Sequence, residues 1–144
     1  MNWTVPALLL AAAAVVGLVW WYRRMRADDE FAGIMLRHRA NARISSRAQL
    51  IDGANHIPVA LTLEPQRIFY ENLELQADLD IAGIDEVEYG SDLLTGQAAV
   101  DGSVLRLRAH GRSIEFVLDG TAARDWSRLL PAHRMGETGA VHAN

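Results

Sequence analysis

The chain has 144 residues, 50% of them apolar and 22% charged, with no cysteine and a formal net charge of −4. That length suits one ordinary domain, and the apolar fraction excludes a disordered protein. Without cysteine, a disulfide framework, a thiolate metal site and a cysteine nucleophile are excluded as well.

Charge divides the chain into three parts. Residues 1–22 carry none, residues 23–48 hold seven Arg against Asp28, Asp29 and Glu30 for a net +4, and residues 49–144 carry a net −8. All the basic residues are Arg. The uncharged run from Trp3 to Tyr22 is twenty residues, which as a helix spans about 30 Å, one bilayer core. The spacing predicts a transmembrane helix over 3–22, with Thr4 as its cap and Pro6 in its first turn. Trp3 falls at one interface and Trp20, Trp21 and Tyr22 at the other, as aromatic belts do. Arg23, Arg24 and Arg26 follow at once. The positive-inside rule then predicts a single-pass protein of the cell inner membrane, amino terminus outside in the periplasm and the remainder cytoplasmic. A cleaved signal peptide competes through Ala11–Ala14, but a basic n-region is missing and the apolar run continues to Tyr22. Ala13 and Gly17 form a small-xxx-small pair able to seat a neighbouring helix.

Residues 23–43 read as an Arg-rich connector with a short amphipathic helix near 28–40. Asp28, Asp29 and Glu30 suit its amino end, and Arg37 and Arg39 its carboxyl end. Phe31, Ile34 and Met35 stand at i, i+3 and i+4, one apolar stripe. Two readings stay open: a linker helix whose stripe packs on its own domain, and an interfacial helix whose Arg residues meet anionic headgroups.

From about Ile44 the period becomes two. Ile57, Val59, Leu61 and Leu63 alternate with Pro58, Ala60, Thr62 and Glu64, and Leu73, Leu75, Ala77, Leu79 and Ile81 alternate with polar residues. Both patterns predict strands with one face buried and the other in water. Asp52-Gly53 signals a tight turn, and Ala82-Gly83 a bend. In residues 104–118 a His110-Gly111 turn sets Leu105 opposite Phe116 and Leu107 opposite Ile114, all inward, with Arg106 opposite Glu115 outside. A slipped register would destroy both matches. After Gly120 the period is helical, with Ala122, Trp126, Leu129 and Leu130 on one face, Thr121 as the cap and Pro131 near the end. Residues 134–144 read as a tail.

Strands, a hairpin and one carboxyl-terminal helix carrying Trp126 make residues 44–133 similar to the pleckstrin-homology-like superfamily, bacterial members included. The resemblance implies an α+β domain: a small seven-stranded antiparallel barrel capped by the carboxyl-terminal helix, with Trp126 packed into it. The complete expected fold is a transmembrane helix followed by that barrel. Phosphoinositide binding, a familiar role of the superfamily, uses basic residues around the first hairpin. Here residues 47–56 offer Arg47 as the only permanent cation, with Asp52 in the turn, and depart from that pattern.

The remaining chemistry is sparse. Arg106 and Arg108 share the outer face of the last hairpin, where pairing with Glu115 and neighbouring acids competes with an anion site. Glu71, Glu74, Asp78, Asp80, Asp85, Glu86 and Glu88 read as a solvated strand face rather than a metal site, since no calcium-loop spacing occurs. The five histidines show no metal-ligand spacing, and no nucleophile elbow, phosphate-binding glycine loop or dinucleotide fingerprint is present. No enzyme activity, metal or cofactor is therefore expected. Tethering and the acidic domain argue against nucleic acid. Strand faces rich in Leu, Ile and Phe predict a filled core rather than a small-molecule pocket. The loop 90–103 carries Leu93 and Leu94, either an exposed anchor or a partial strand. The expected function is a non-catalytic, single-pass subunit that stabilises a larger membrane complex through contacts with integral membrane proteins and lipids. A membrane-surface sensor that binds anionic headgroups through the connector and the Arg hairpin is the alternative.

Overall fold

The computed structural model describes the backbone of residues 4–100 and 102–134, and side chains from Ala13 onward apart from those of Arg24 and Ala27. Helix α1 runs unbroken over Thr4–His38, about 52 Å. The residues where a break was expected, Arg23–Ala27, contain no Gly or Pro and favour helix, so nothing separates anchor from connector.

The expected transmembrane helix is corrected accordingly. Among the described residues no helix is long and apolar enough to cross a membrane. Arg23, Arg26, Asp28, Asp29 and Glu30 lie within α1 itself. Trp3 lies outside the described residues, as does the side chain of Arg24.

Among the described residues eight strands follow: β1 (Ile44–Asp52), β2 (Asn55–Leu63), β3 (Arg67–Glu71), β4 (Gln76–Asp80), β5 (Ile84–Gly90), β6 (Ser103–Ala109), β7 (Arg112–Leu118) and β8 (His133–Arg134). Helix α2 (Gly120–Leu129) lies between the last two. They form one sheet in the order β4-β3-β2-β1-β7-β6-β5-β8, every pairing antiparallel. This replaces the expected seven-stranded, helix-capped barrel. The hydrogen-bonded order begins at β4 and ends at β8.

Local chemistry explains the differences. The Asn72 side chain accepts from the amides of Glu74 and Leu75, turning the chain there. Leu73 therefore leaves the alternation, 80% exposed, and β4 starts only at Gln76. The 90–103 loop contributes a single Asp92–Ala98 bridge rather than a strand of the sheet. The last strand comes from beyond α2, where Arg134 pairs with Glu86 on β5 at 2.9 Å. Residues 135–144 of the expected tail lie outside the described residues.

The β6–β7 hairpin turns through His110 and Gly111, both at positive φ (51° and 74°), as a two-residue turn with matching twist requires. It pairs Leu105 with Phe116, Leu107 with Ile114 and Arg106 with Glu115. Leu105, Leu107 and Phe116 are fully buried with Val59, Leu61, Leu63 and Ile68, while Ile114 packs on them half-buried. Each fully buried side chain of this size contributes about 1.5–3 kcal/mol.

Trp126 of α2 is 0% exposed in the same cluster, its indole Nε1 donating to Ser46 Oγ at 2.8 Å. The cap of α2 is Asp119 rather than Thr121: its Oδ1 accepts from the Thr121 and Ala122 amides at 2.9 and 2.7 Å. An Asp at this position accepts better than the Thr two residues on, which already lies inside the helix.

The opposite face of β2 is covered too. Phe31 and Ile34 of α1 bury themselves against Ala60, and Thr62 and Glu71 beside it are also closed to water. The sheet thus has its main core on one face and the carboxyl-terminal half of α1 on the other.

Candidate functional site

The residues that invite a functional reading gather where α1 meets and then leaves the sheet. Its last turn is fastened by polar contacts. His38 Nδ1 faces Glu64 Oε1 at 2.9 Å and Nε2 faces Glu71 Oε2 at 3.2 Å. The same Glu71 oxygen accepts from Arg37 Nη2 at 3.4 Å. Phe69 lies against the imidazole, ring centroids 4.6 Å apart. Glu71 is 1% exposed, and its other oxygen, Oε1, has no hydrogen-bond partner among the described residues. A buried carboxylate held by one face only makes this latch sensitive to the loss of any member.

Two further ties lie nearer the middle of α1. Glu30 Oε1 accepts from the Leu73 amide at 2.8 Å, fixing the β3–β4 turn against the helix. Asp28 pairs with Arg47 of β1 at 2.6 Å, and the Arg47 guanidinium stacks 4.8 Å above the Phe31 ring. Of the connector residues singled out from sequence, Phe31 and Ile34 are buried, Met35 is half-buried, Arg37 joins the latch and Arg39 is exposed. The linker arrangement, with the stripe packed on its own domain, is the one observed.

Amino-terminal to Asp28, α1 has a different surface. Val15, Val16, Leu18, Val19, Trp20, Trp21, Tyr22 and Met25 are each between 49% and 69% exposed. Successive residues point around the whole helix, so this is an apolar sleeve rather than a stripe. Ala13 is exposed within it, and Gly17 meets open space where a Cβ would stand. Arg23 and Arg26 end it, with Arg26 lying 5.2 Å over the Tyr22 ring. Where sleeve and sheet diverge, a cleft of about 780 Å³ opens between α1 and the strands β1, β2 and β7.

The other sequence candidates fall elsewhere. Arg106 is pinned on the outer face of its hairpin. It donates through Nε and Nη2 to Glu115 Oε1, through Nη1 to Glu88 and through Nη2 to the Asp92 carbonyl. Burial acts to lower its pKa, but the bonds to Glu115 and Glu88 outweigh that and hold it raised. Arg108 is shared with Glu86 at 3.8 Å. Internal pairing, not an anion site, is what Arg106 and Arg108 do. Leu93 is buried and Leu94 exposed, the Leu94 amide donating to Glu115 Oε1 at 2.9 Å. Among the described residues no group of three acidic or histidine side chains is placed to hold a metal ion.

Sequence reasoning placed Glu71 on a solvated face and gave His38 and Glu64 no role. A signal was nonetheless present: the outward alternation of β2 is Pro58, Ala60, Thr62, uncharged and small. Such a face suits a covering helix better than water. Comparison with protein-family models, curated proteins and solved structures gives no match, so none identifies a pleckstrin-homology-like domain.

Proposed function

We propose that this chain is a non-catalytic accessory subunit that stabilises or scaffolds a larger membrane-associated assembly. The apolar sleeve of α1 carries the reading. Eight large apolar side chains exposed around one helix between Val15 and Met25 call for a cover, because a helix apolar on all sides belongs in an apolar surrounding. In this reading the cover is supplied by apolar helices of integral membrane proteins and by acyl chains. Arg23 and Arg26 mark where the polar boundary begins, as basic residues at such a boundary do.

The rigid junction gives the sleeve a use. His38, Glu64, Glu71 and Arg37 hold the end of α1 on the sheet, and the Asp28–Arg47 pair fixes its middle. An assembly that grips the sleeve therefore also positions the acidic sheet domain. The titratable groups at the junction are engaged with one another, which favours a mechanical over a catalytic role. Headgroup sensing through the Arg hairpin is disfavoured by the pairing of Arg106 with Glu88 and Glu115.

The test places a photo-crosslinking amino acid at Val16 of the full chain in native membranes, followed by purification in mild detergent. A stoichiometric adduct with one integral membrane protein is expected. Recovery of the chain as a monomer without adduct would refute the proposal.

A further inference from the structure

The cleft beside the sleeve has the make-up of a ligand site. Its volume, about 780 Å³, lies within the range of small-molecule pockets. It also sits outside the filled core of the sheet, so the Leu, Ile and Phe that occupy that core do not close it. Trp20 and Phe31 of α1, Pro58 of β2, Val117 of β7 and Val100 of the preceding loop give it apolar walls. Val100 is 85% exposed, more than any other large apolar side chain described.

The charged lining is almost fully committed. Asp28 and Arg47 neutralise each other at 2.6 Å. Asp119 directs its carboxylate to the α2 amides, where the helix dipole favours a negative charge. Arg23 remains, a cation at the cleft with no ion pair among the described residues. Trp20 belongs to both sleeve and cleft, so apolar surface runs from one into the other.

We infer that this cleft binds a monoanionic amphiphile, its chain lying against Trp20, Phe31 and Val100 and its anionic group on Arg23. Among the described residues, one cation without an ion pair stands beside continuous apolar wall, which suits a single negative charge on a long apolar body. A free fatty acid and an anionic phospholipid share that chemistry. The inference is independent of the accessory-subunit reading: an assembly partner without a bound amphiphile, or the reverse, separates the two.

The experiment uses the full chain in phosphatidylcholine nanodiscs and two diazirine probes, a palmitate analogue and a phosphatidylglycerol carrying the diazirine on one acyl chain. Adducts are mapped by mass spectrometry. Saturable labelling of the segments holding Phe31 and Val117 is expected, and the probe that labels there identifies the source. Arg23→Gln raises half-saturation about fivefold, the scale of one exposed charge-assisted contact. Val100→Asp reduces cleft labelling about tenfold by placing a like charge and a polar group on the apolar wall. Both positions are exposed, so neither variant threatens the fold. Arg112→Gln, at the β6–β7 tip and outside the cleft lining, leaves labelling unchanged. Labelling confined to Val15–Val19, an equal effect of Arg112→Gln, or crosslinking from a photo-reactive residue at Val100 to a protein chain would each overturn the inference.

Discussion

Removing His38 tests whether the latch holds α1 to the sheet. His38→Ala deletes the contacts at 2.9 Å to Glu64 and 3.2 Å to Glu71, together with the ring packing on Phe69. Glu71, 1% exposed and already lacking a partner at Oε1, keeps only the 3.4 Å contact to the exposed Arg37. Leaving a buried polar group short of partners costs about 1–3 kcal/mol, and breaking a buried ion pair about 3–5. His38 and Glu64 are partly open to water, which places the expected loss near 2–3 kcal/mol. Glu71→Gln alters the carboxyl group that His38 contacts, so the double variant should cost about 1–1.5 kcal/mol less than the sum of the singles. Urea unfolding gives the equilibrium values, and amide exchange locates them. Protection should fall over residues 31–38 of α1 while the β6–β7 hairpin keeps its own. A loss below about 0.5 kcal/mol, the size of an unremarkable surface change, or strict additivity in the cycle would refute the latch.

Four further outcomes follow from particular atoms. A Cβ at Gly102 would stand 2.6 Å from the Leu118 carbonyl oxygen and 2.8 Å from Val117 Cγ1, so Gly102→Ala should lower stability by about 2 kcal/mol or more, read as a drop in the urea midpoint. Gly17→Ala, in open space on α1, should instead stabilise by up to about 1 kcal/mol. The Tyr89 hydroxyl donates to the Leu130 carbonyl at 2.8 Å, and burial holds its phenol well above the ordinary value of 10.0. Its neutral form is the one folding favours, so the contribution is complete below pH 10 and is lost as pH rises beyond it. Tyr89→Phe should cost about 1 kcal/mol at neutral pH and flatten the alkaline fall, seen by repeating the urea titration at high pH. Ser46→Ala leaves the indole N–H of the buried Trp126 without its 2.8 Å acceptor, an expected loss of about 1–2 kcal/mol measured the same way.

Those outcomes probe elements of unequal legibility in the sequence. The β6–β7 hairpin was readable because apolar matching, the Arg106–Glu115 pair and a His-Gly turn all select one register. The face of α2 was readable for the same reason, since Trp126 and its neighbours repeat at helical spacing. Where one signal stood alone, it misled. Alternation from Leu73 to Ile81 looked like one long strand, yet Asn72 captures two amides and spends Leu73 and Leu75 on a turn. Strand count and order were not legible at all. Pairing β1 with β7 and adding β8 from beyond α2 are long-range choices, and local pattern carries no information about which edge a strand finds.

The junction was illegible for a more specific reason. Sequence marks a boundary at Arg23, where charge begins, but the helix has its physical boundary near Asp28, where one face becomes covered. Helix propensity is indifferent to the first boundary: Tyr22 through Ala27 favour helix whether or not their side chains are charged. Burial defines the second, and burial depends on β2 and β3, some thirty residues away. Glu71 shows the consequence. Among seven acidic residues between 71 and 88, composition makes it one more solvated carboxylate. Only its position at the end of β3, under the last turn of α1, turns it into a buried carboxyl group partnered by His38 and Arg37. The arginine-rich collar that suggested a membrane boundary is therefore partly structural. Arg37 and Arg47 serve the domain, while Arg23 faces the cleft without an ion pair among the described residues.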